Sequence, residues 1–300
     1  MLENKEKDVK HSLPILFVSS EATPFAPNGD LAAKVTNLAT RIAKQPENHF
    51  VAVVIPGYKQ YMDEFKGQLK YIYSFQLPAP YSQAECNVLQ AYFNGVTYYL
   101  LDIPYYFGRD KMYGYLDDPY RFTAFSFAVR QFIEDQEKKS IRFDIVHAFD
   151  WETGFLPYML RGKYPWMRVV YTVNEPYFQC ALDKTRLWDL TRFNFALYND
   201  GIVRQNNQLN ILKTGLTLAD VVTVSSKAKA EALRNELEAY ENLGYIFNFK
   251  VDRFKPLDDI YNTEAYDELY NELANEPMTR YTWVKAVAYT QLTMPTTSRV

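Results

Sequence analysis

Short apolar runs typical of buried strands alternate along this chain with segments of helical periodicity. The first run, ILFVSS (15–20), precedes a helical segment and a second run, FVAVVIP (50–56). Runs of the same kind, FDIVHAF, MRVVYTV and DVVTVS, return in the second half. They precede segments predicted to be helical at 152–164, 208–219 and 226–240. Because strands that alternate with helices pack as βαβ units, we predict a Rossmann-like α/β fold with a doubly wound, mainly parallel sheet.

Two regions depart from this alternation. Residues 69–103 contain β-type runs separated by short turns, one of them Asn94-Gly95, which is a strong hairpin signal, so we predict an antiparallel hairpin insertion. Near the end, two helical stretches at about 263–275 and 280–292 have no strand after them. We therefore expect three parts: a polar N-terminal segment (1–13), one Rossmann-type domain (14–254) and a helical tail (255–300).

Charge and composition argue against several classes of function. The formal net charge is −3 and Lys and Arg form no cluster beyond a solvated helix face, so we expect no nucleic-acid and no membrane partner. No apolar run reaches the roughly 20 residues of a membrane span, and the polar start lacks a signal region, which predicts a cytoplasmic protein. We expect no metal and no cofactor, because five potential ligands lack ligand spacing: Cys86, Cys180, His11, His49 and His147.

Five stretches in order along the chain resemble the N-terminal domain of bacterial glycogen synthases and plant starch synthases. LFVSSEATPFAPNGDL resembles their opening strand and loop, and IVHAFDWETGFLPYML resembles their His-Ala-His-Asp-Trp-His motif. The other three are LLDIPYYFGRDKMYGYLDDPYRFTAFSFAV, YTVNEPYFQC and LKTGLTLADVVTVSSKAKAEAL. In that family two Rossmann-like domains face each other across a cleft, and the C-terminal one holds most of the ADP-glucose or UDP-glucose. The resemblance implies that this chain provides the acceptor side, and we expect the donor-binding domain to be absent.

The loop that lies near the donor phosphates in the family is altered here. Its lysine and two adjacent glycines are represented by the stretch Pro27, Asn28, Gly29 and Asp30. Pro27 provides neither a cation nor an N–H group, and Asp30 places a carboxylate immediately before the predicted helix. We expect Asp30 to be the N-cap of that helix, so that its carboxylate fills the anion site of a vestigial phosphate loop.

The resemblance also implies a glucan or acceptor cleft. Its candidate residues are Asp117, Arg121, His147, Asp150, Trp151, Glu152, Asn174, Glu175 and Gln179. Phe149 and Glu152 stand at two histidine positions of the family motif, and Asn174-Glu175 replaces a His-Asn pair. Since these replacements remove groups that donate hydrogen bonds to sugar hydroxyls, we expect no intact catalytic set.

Each candidate also has a structural interpretation. Asp150 at a strand-to-helix turn is typical of a helix cap, Trp151 of packing and His147 of a core histidine. Arg121 is expected either to pair with Asp117 or to contact a ligand. A Glu152–Glu175 pair for glycoside hydrolysis is a further alternative, although nothing in the sequence sets the separation of these carboxylates.

Three hypotheses for function remain open at this point. The first is a non-catalytic single-domain relative that binds an α-glucan or a protein, either a full-length synthase or another copy of itself. The second is the acceptor-side half of a split glucosyltransferase that transfers glucose from ADP-glucose or UDP-glucose to an α-1,4-glucan. The third is a truncated product without a selected role.

Overall fold

A nine-stranded sheet runs through the part of the chain that the computed structural model describes, residues 12–45, 49–235, 254–255, 260 and 262–276. The sheet order is β12-β11-β7-β6-β1-β2-β5-β4-β3, and a second, small sheet has the order β8-β10-β9. The strands are β1 (Pro14–Val18), β2 (Phe50–Pro56), β3 (Lys70–Gln76), β4 (Glu85–Phe93), β5 (Val96–Asp102), β6 (Ile145–Phe149), β7 (Arg168–Val173), β8 (Ala181–Leu182), β9 (Arg204–Gln205), β10 (Gln208–Asn210), β11 (Val221–Val224) and β12 (Phe254–Lys255).

Helices cover both faces of the large sheet. They are α1 (Asp30–Ala43), α2 (Lys59–Glu64), α3 (Pro104–Phe107), α4 (Asp118–Lys138), α5 (Leu156–Arg161), α6 (Arg186–Thr191), α7 (Ala196–Asn199), α8 (Ile211–Leu218), α9 (Lys227–Asn235) and α10 (Thr263–Asn275), with a 3-10 turn at Trp151–Thr153. The pairings from β12 across to β5 are all parallel, so the predicted doubly wound, mainly parallel α/β fold is confirmed. Among these helices, none is both long and apolar enough to span a bilayer.

The predicted hairpin insertion is present at one edge of the sheet. Strands β3, β4 and β5 pair antiparallel, and the β4–β5 turn is the Asn94-Gly95 pair with φ values of 50° and 87°. Strand β5 also pairs in parallel with β2, so only β3 and β4 lie outside the parallel part of the sheet, at its edge. The hairpin signal predicted the turn, but it did not indicate that β5 belongs to both parts of the sheet.

Helix α10 has the bounds predicted for the first helix of the tail and packs against one face of the large sheet. Its apolar side chains Tyr266, Leu269, Tyr270 and Leu273 are buried in the core. Arg168 at the start of β7 donates to the carbonyls of Leu273 and Glu276 at the end of the helix. This helix therefore covers a sheet face of its own chain. The second helical stretch predicted for the tail, at about 280–292, lies outside the described residues.

A buried chain of hydrogen bonds ties α10 to three strands through His147. His147 Nδ1 lies 2.6 Å from the Tyr270 hydroxyl, and Nε2 lies 2.6 Å from Thr172 Oγ1. Thr172 Oγ1 continues the chain to Thr223, which contacts the Tyr266 hydroxyl at 3.1 Å. Burial lowers the pKa of His147 to about 3, so the ring is neutral. His147, placed above among the cleft residues, is therefore a core residue with both ring nitrogens bonded.

Several local assignments differ from the sequence prediction. Residues 208–210, expected at the start of a helix, form β10 because Leu209 pairs with both β8 and β9. The helix expected at 152–164 is shorter and is split into the 3-10 turn and α5. Two predicted parts lie outside the described residues: the part of the 226–240 helix beyond residue 235, and residues 1–11 of the polar N-terminal segment.

Candidate functional site

The topological switch point of the sheet lies between β1 and β6. From β1 the chain proceeds to β2 on one side, whereas β6 and β7 lie on the other, so the loops after β1 and β6 separate at the carboxyl edge. Ligands of open α/β sheets bind in the crevice that such a separation creates. The loop at residues 19–29, the turn after β6 and the segment after β7 meet at this edge.

The N-terminus of α1 is occupied by a carboxylate of its own chain. Glu21 Oε2 accepts a hydrogen bond from the Gly29 backbone N–H at 2.7 Å, and Glu21 Oε1 accepts one from Asn28 Nδ2 at 3.3 Å. The Tyr113 hydroxyl also donates to Glu21 Oε1, at 2.7 Å. Since Glu21 is buried, a carboxylate already holds the N–H group that a phosphate would need.

The prediction that Asp30 caps α1 is wrong. Asp30 is the first residue inside the helix, Gly29 is the N-cap, and no side chain forms a cap hydrogen bond. The Asp30 carboxylate instead forms an ion pair with Lys34 one turn later. The physical reason is that the helix begins one residue earlier than predicted: Gly29 has the extended backbone of the N-cap, so Asp30 lies inside the first turn and its side chain meets Lys34.

Asp150 joins the end of β6 to the segment after β7. Its Oδ1 accepts hydrogen bonds from the backbone N–H groups of Asn174 at 2.7 Å and Glu175 at 3.0 Å. It does not cap the following turn, so its interpretation as a helix cap is also wrong. Its backbone has φ 54° and ψ −177°, a conformation that costs a residue other than glycine about 1–3 kcal/mol. Burial raises the pKa of Asp150 to about 6, against the effect of the two N–H donors.

Asn174 is held in one orientation by groups from three elements. Besides the bond from its N–H to Asp150, its Oδ1 accepts from Lys34 Nζ of α1 at 2.8 Å. Its carbonyl accepts from Lys229 Nζ of α9. Two lysines at the cleft edge are therefore engaged with Asn174.

Glu152 is a buried carboxyl group with incomplete hydrogen bonding. Its side-chain atom Oε2 has no partner among the described residues, and the residue is 9% exposed. Burial raises the pKa of this carboxyl well above its ordinary value, and the charge of Asp150 raises it further. An unpaired buried polar group costs free energy, and such groups concentrate where a protein binds a ligand.

The start of α4 contains two separate ion pairs rather than the Arg121–Asp117 pair considered from the sequence. Arg109 binds Asp117 through two hydrogen bonds of 2.6 Å each. Arg121 is fully buried, pairs with Asp118 and donates to the Tyr106 carbonyl at 2.8 Å. Arg121 therefore holds the α3–α4 segment, because its Nε and one Nη group serve this chain.

A pocket of about 330 Å³ opens beside Trp151. It brings together two of the predicted cleft residues, Trp151 and Gln179, with the exposed rings of Tyr177 and Phe178. The Trp151 ring packs edge-on against Phe122 at 5.3 Å. The lining residues are Asp118, Pro119, Trp151, Tyr177, Phe178, Gln179, Cys180 and Ala181.

Phe149 does not belong to this cleft. It is fully buried and stacks on the His147 ring with a centroid separation of 4.3 Å, on the sheet face that α10 covers. Its side chain does not line the pocket beside Trp151. The replacement of a family histidine by Phe149 therefore changes the core of this protein and removes no group from the pocket.

Two backbone features explain residues shared with, or replaced relative to, the family. A Cβ atom at Gly215 would lie 2.3 Å from the Tyr171 ring, whose hydroxyl donates to the Asp150 carbonyl. Glycine at this position therefore lets α8 pack against the residue that supports Asp150. Cys180 stands at a family glycine position and has φ 53°, in the left-handed region that favours glycine.

No group of three or more His, Cys, Asp or Glu side chains with metal-binding geometry occurs in the part of the chain that the structure describes. Glu152 is buried after β6 and Glu175 is half-buried after β7, and the Glu152–Glu175 hydrolytic pair stays a prediction.

Comparison with known proteins agrees with this geometry. Residues 14–246 match the family model of the starch synthase catalytic domain. This chain belongs to the starch synthase catalytic domain family. It is 34% identical over 270 residues to the glycogen synthase of Clostridium beijerinckii, which covers 84% of this chain and 55% of that relative. It is also 34% identical over 230 residues to the glycogen synthase of Ligilactobacillus salivarius, which covers 75% of this chain and 48% of that relative.

The fold of this starch synthase family member is that of a solved relative. The catalytic domain of starch synthase IV from Arabidopsis thaliana, bound to ADP and acarbose, superimposes with a TM-score of 0.72 at 21% identity. The match covers 83% of this chain and 52% of that structure. The chain thus spans about half the length of the relatives that it matches.

Some residues of this site were not predicted from the sequence. Glu21 and Tyr113 meet at the mouth of α1, although they are 92 residues apart. Lys34 and Lys229 meet at Asn174 from two helices. The one available signal was that Glu21, Lys34 and Lys229 each lie just after a strand or in the first turns of a helix, where side chains face the carboxyl edge.

Proposed function

We propose that this chain forms an acceptor-side domain of the family fold that binds an α-glucan or a protein partner and does not transfer glucose from a nucleotide sugar. The observation that supports this most directly is the Glu21 carboxylate on the Gly29 N–H group, at 2.7 Å. Asp30 adds a second carboxylate in the first turn of α1, where a phosphate would meet like charge.

The pocket beside Trp151 supports the glucan part of the proposal. An indole ring offers an apolar face for stacking, while Gln179 and Asp118 offer polar groups at the same pocket. Tyr177 and Phe178 are 60% and 66% exposed at its rim. Exposed aromatic rings beside polar groups also suit a protein interface, so a full-length synthase or a second copy of the chain is the other partner class.

A transfer assay tests the non-catalytic part of the proposal. The full chain is incubated with ADP-glucose or UDP-glucose, with and without glycogen, and we expect no glucose incorporation above background. Titration with ADP is expected to give no heat. The double variant Glu21→Gln with Asp30→Gly is expected to gain ADP affinity, because it removes both carboxylates from the N-terminus of α1. Clear turnover by the unaltered chain would end this proposal.

Affinity electrophoresis in gels with and without glycogen tests glucan binding. We expect glycogen to retard the full chain and the Trp151→Ala variant to lose most of this retardation. The Tyr92→Ala variant is a matched control, because Tyr92 is 73% exposed on β4, outside the pocket. Equal retardation of all three proteins would place any glucan contact elsewhere, and absence of retardation would leave protein binding as the proposed role.

The ordered acceptor-side pocket favours a second candidate, the acceptor-side half of a split glucosyltransferase. This candidate predicts co-purification with a separate Rossmann-like polypeptide and glucose transfer only by the mixture. Purification of a single species, together with no activity in any reconstituted mixture, would count against it.

A further inference from the structure

Two Asn-Gly steps occur in the sequence, Asn28-Gly29 and Asn94-Gly95. An asparagine followed by glycine deamidates readily, because glycine has no Cβ atom to hinder attack by its backbone nitrogen on the asparagine side chain. All four residues are exposed. Exposure therefore does not distinguish the two steps, and a difference in their reactivity depends on the hydrogen bonds around each.

The Asn94-Gly95 step is the turn between β4 and β5, and its φ values of 50° and 87° are those of a tight hairpin turn. Among the described residues, no hydrogen bond involves the Asn94 side chain or the Gly95 N–H group. A Cβ atom at Gly95 would meet nothing closer than the Tyr92 hydroxyl at 4.0 Å. Both reacting groups of this step are therefore unhindered and accessible to water.

The Asn28-Gly29 step is held at both reacting groups by Glu21. The Gly29 N–H group donates to Glu21 Oε2 at 2.7 Å, and Asn28 Nδ2 donates to Glu21 Oε1 at 3.3 Å. Glu21 is itself buried and accepts from the Tyr113 hydroxyl at 2.7 Å. The nitrogen that would attack and the amide that would leave are thus bonded to one fixed carboxylate. Loss of the Gly29 proton would also place negative charge against that carboxylate.

We propose that Asn94 is a deamidation site of this chain and that Glu21 protects Asn28 from the same reaction. The inference does not depend on the proposed function, since the reaction needs no ligand. At Asn94, the backbone nitrogen of Gly95 attacks the side-chain carbon Cγ, so that a new C–N bond forms and the Cγ–Nδ2 bond breaks. The Gly95 proton leaves with the amide group as ammonia, and the product is a cyclic succinimide. Water then opens the ring at either carbonyl and gives aspartate or isoaspartate, with no oxidation or reduction.

The hydrogen bond from Gly29 to Glu21 sets the size of the protection. This bond to a charged group has to break before the Gly29 nitrogen attacks, which slows the reaction by about tenfold to a hundredfold. The Asn94 step has no corresponding bond to a carboxylate among the described residues. We therefore expect Asn94 to deamidate about tenfold or more faster than Asn28 in the folded protein.

Peptide mapping of aged protein measures both rates in one sample. The full chain is incubated at slightly alkaline pH, sampled over time and digested with trypsin, and mass spectrometry quantifies the deamidated form of each peptide. Asn28 and Asn94 lie on separate tryptic peptides, residues 11–34 and 71–109, and an unaged sample gives the background from digestion. We expect the deamidated fraction of the 71–109 peptide to rise first, with fragmentation assigning the change to Asn94 and with isoaspartate among the products.

Variants locate the protection at Glu21. Glu21→Ala is expected to raise the deamidation rate of Asn28 about tenfold or more and to leave the rate of Asn94 unchanged. Asp30→Asn is the matched control, because it removes the carboxylate next to Gly29 and keeps both bonds to Glu21, so the Asn28 rate should stay close to that of the unaltered chain. Should Glu21→Ala fail to fold, the unaltered chain unfolded in urea makes the same comparison. Both steps then lack their native contacts and should react at similar rates.

Three outcomes contradict this inference. Absence of deamidation at Asn94 in the folded protein overturns the assignment of the site. Modification of Asn28 as fast as that of Asn94, or faster, overturns the protection, and a faster rate would show that Glu21 instead helps to remove the Gly29 proton. A rate difference that persists in urea also overturns the protection, because the flanking residues rather than Glu21 would then set the two rates.

Discussion

Replacement of Asp150 by asparagine is expected to stabilise the protein above about pH 6 and to have little effect near pH 4. Asparagine retains an oxygen that accepts from the Asn174 and Glu175 N–H groups, while the cost of burying a charge disappears. Burial raises the pKa of Asp150 from 3.8 to about 6, so the folded state holds a proton that the unfolded state has released between these values. Since the unfolded state then binds fewer protons, the stability of the parent protein falls as pH rises through this window.

The magnitude follows from the size of the shift. A change from 3.8 to about 6 at about 1.36 kcal/mol per unit corresponds to a penalty of about 3 kcal/mol for the ionised form at neutral pH. Because Glu152 competes for protons with Asp150, this value is an upper bound on the stabilisation of Asp150→Asn.

Urea unfolding of the parent and of Asp150→Asn, from acidic to neutral pH, measures the effect. We expect the difference in unfolding free energy to grow by about 1–3 kcal/mol between pH 4 and pH 7.5. The Asp110→Asn variant, at an exposed carboxylate, should show no such growth. A difference that stays constant with pH, or shrinks as pH rises, would refute the reasoning that Asp150 is a destabilising buried charge.

Three further predictions concern the supporting structure. Gly215→Ala should lower the free energy of unfolding by about 1–3 kcal/mol, because its Cβ would lie 2.3 Å from the Tyr171 ring. In the control Gly67→Ala the added Cβ has no atom within 4 Å, and equal melting temperatures of the two variants would contradict the prediction. Tyr270→Phe should cost about 1–3 kcal/mol in urea unfolding, because His147 Nδ1 loses its partner at 2.6 Å, and Tyr92→Phe at the surface should cost almost nothing. Glu21→Ala should free the Gly29 N–H group and increase the affinity for inorganic phosphate, measured by calorimetry. Glu137→Ala is the control, and unchanged phosphate affinity of Glu21→Ala would show that Asp30 alone excludes anions.

The alternation of strands and helices was predictable from the sequence because long apolar runs indicate buried strands. Strands such as FVAVVIP are buried on both faces, and a run of this kind has few alternatives to a central parallel strand. The small sheet β8-β10-β9 escaped prediction because strands of two or three residues are too short to show any periodicity. Its formation depends on Leu209 pairing with two partners, which only the tertiary structure brings together.

The hydrogen bonds of the site were less predictable because they depend on which side chains the tertiary structure brings close to each backbone N–H group. Asp30 has the sequence signature of an N-cap, yet the helix begins one residue earlier, so Gly29 is the N-cap and its N–H group donates to Glu21. Asp150 similarly binds the N–H groups of a neighbouring segment rather than those of its own turn. The family resemblance located these residues at the carboxyl edge, but it carried no information on the hydrogen-bond partners.

The residues within β6 and β7 that hold the fold together are different from the residues just after these strands at the cleft. Within β6 and β7, His147 and Thr172 hold helix α10, and the Thr172 carbonyl accepts from the Asp150 N–H group at 3.1 Å. Three residues beyond the end of β6 lies Glu152, and two residues beyond the end of β7 lies Glu175. The tail helix thereby supports the strained Asp150 backbone through hydrogen bonds that do not depend on the identity of the cleft side chains. Because these hydrogen bonds do not use the Glu152 and Glu175 side chains, substitutions at the two glutamates change the charge of the cleft without removing the support of the fold.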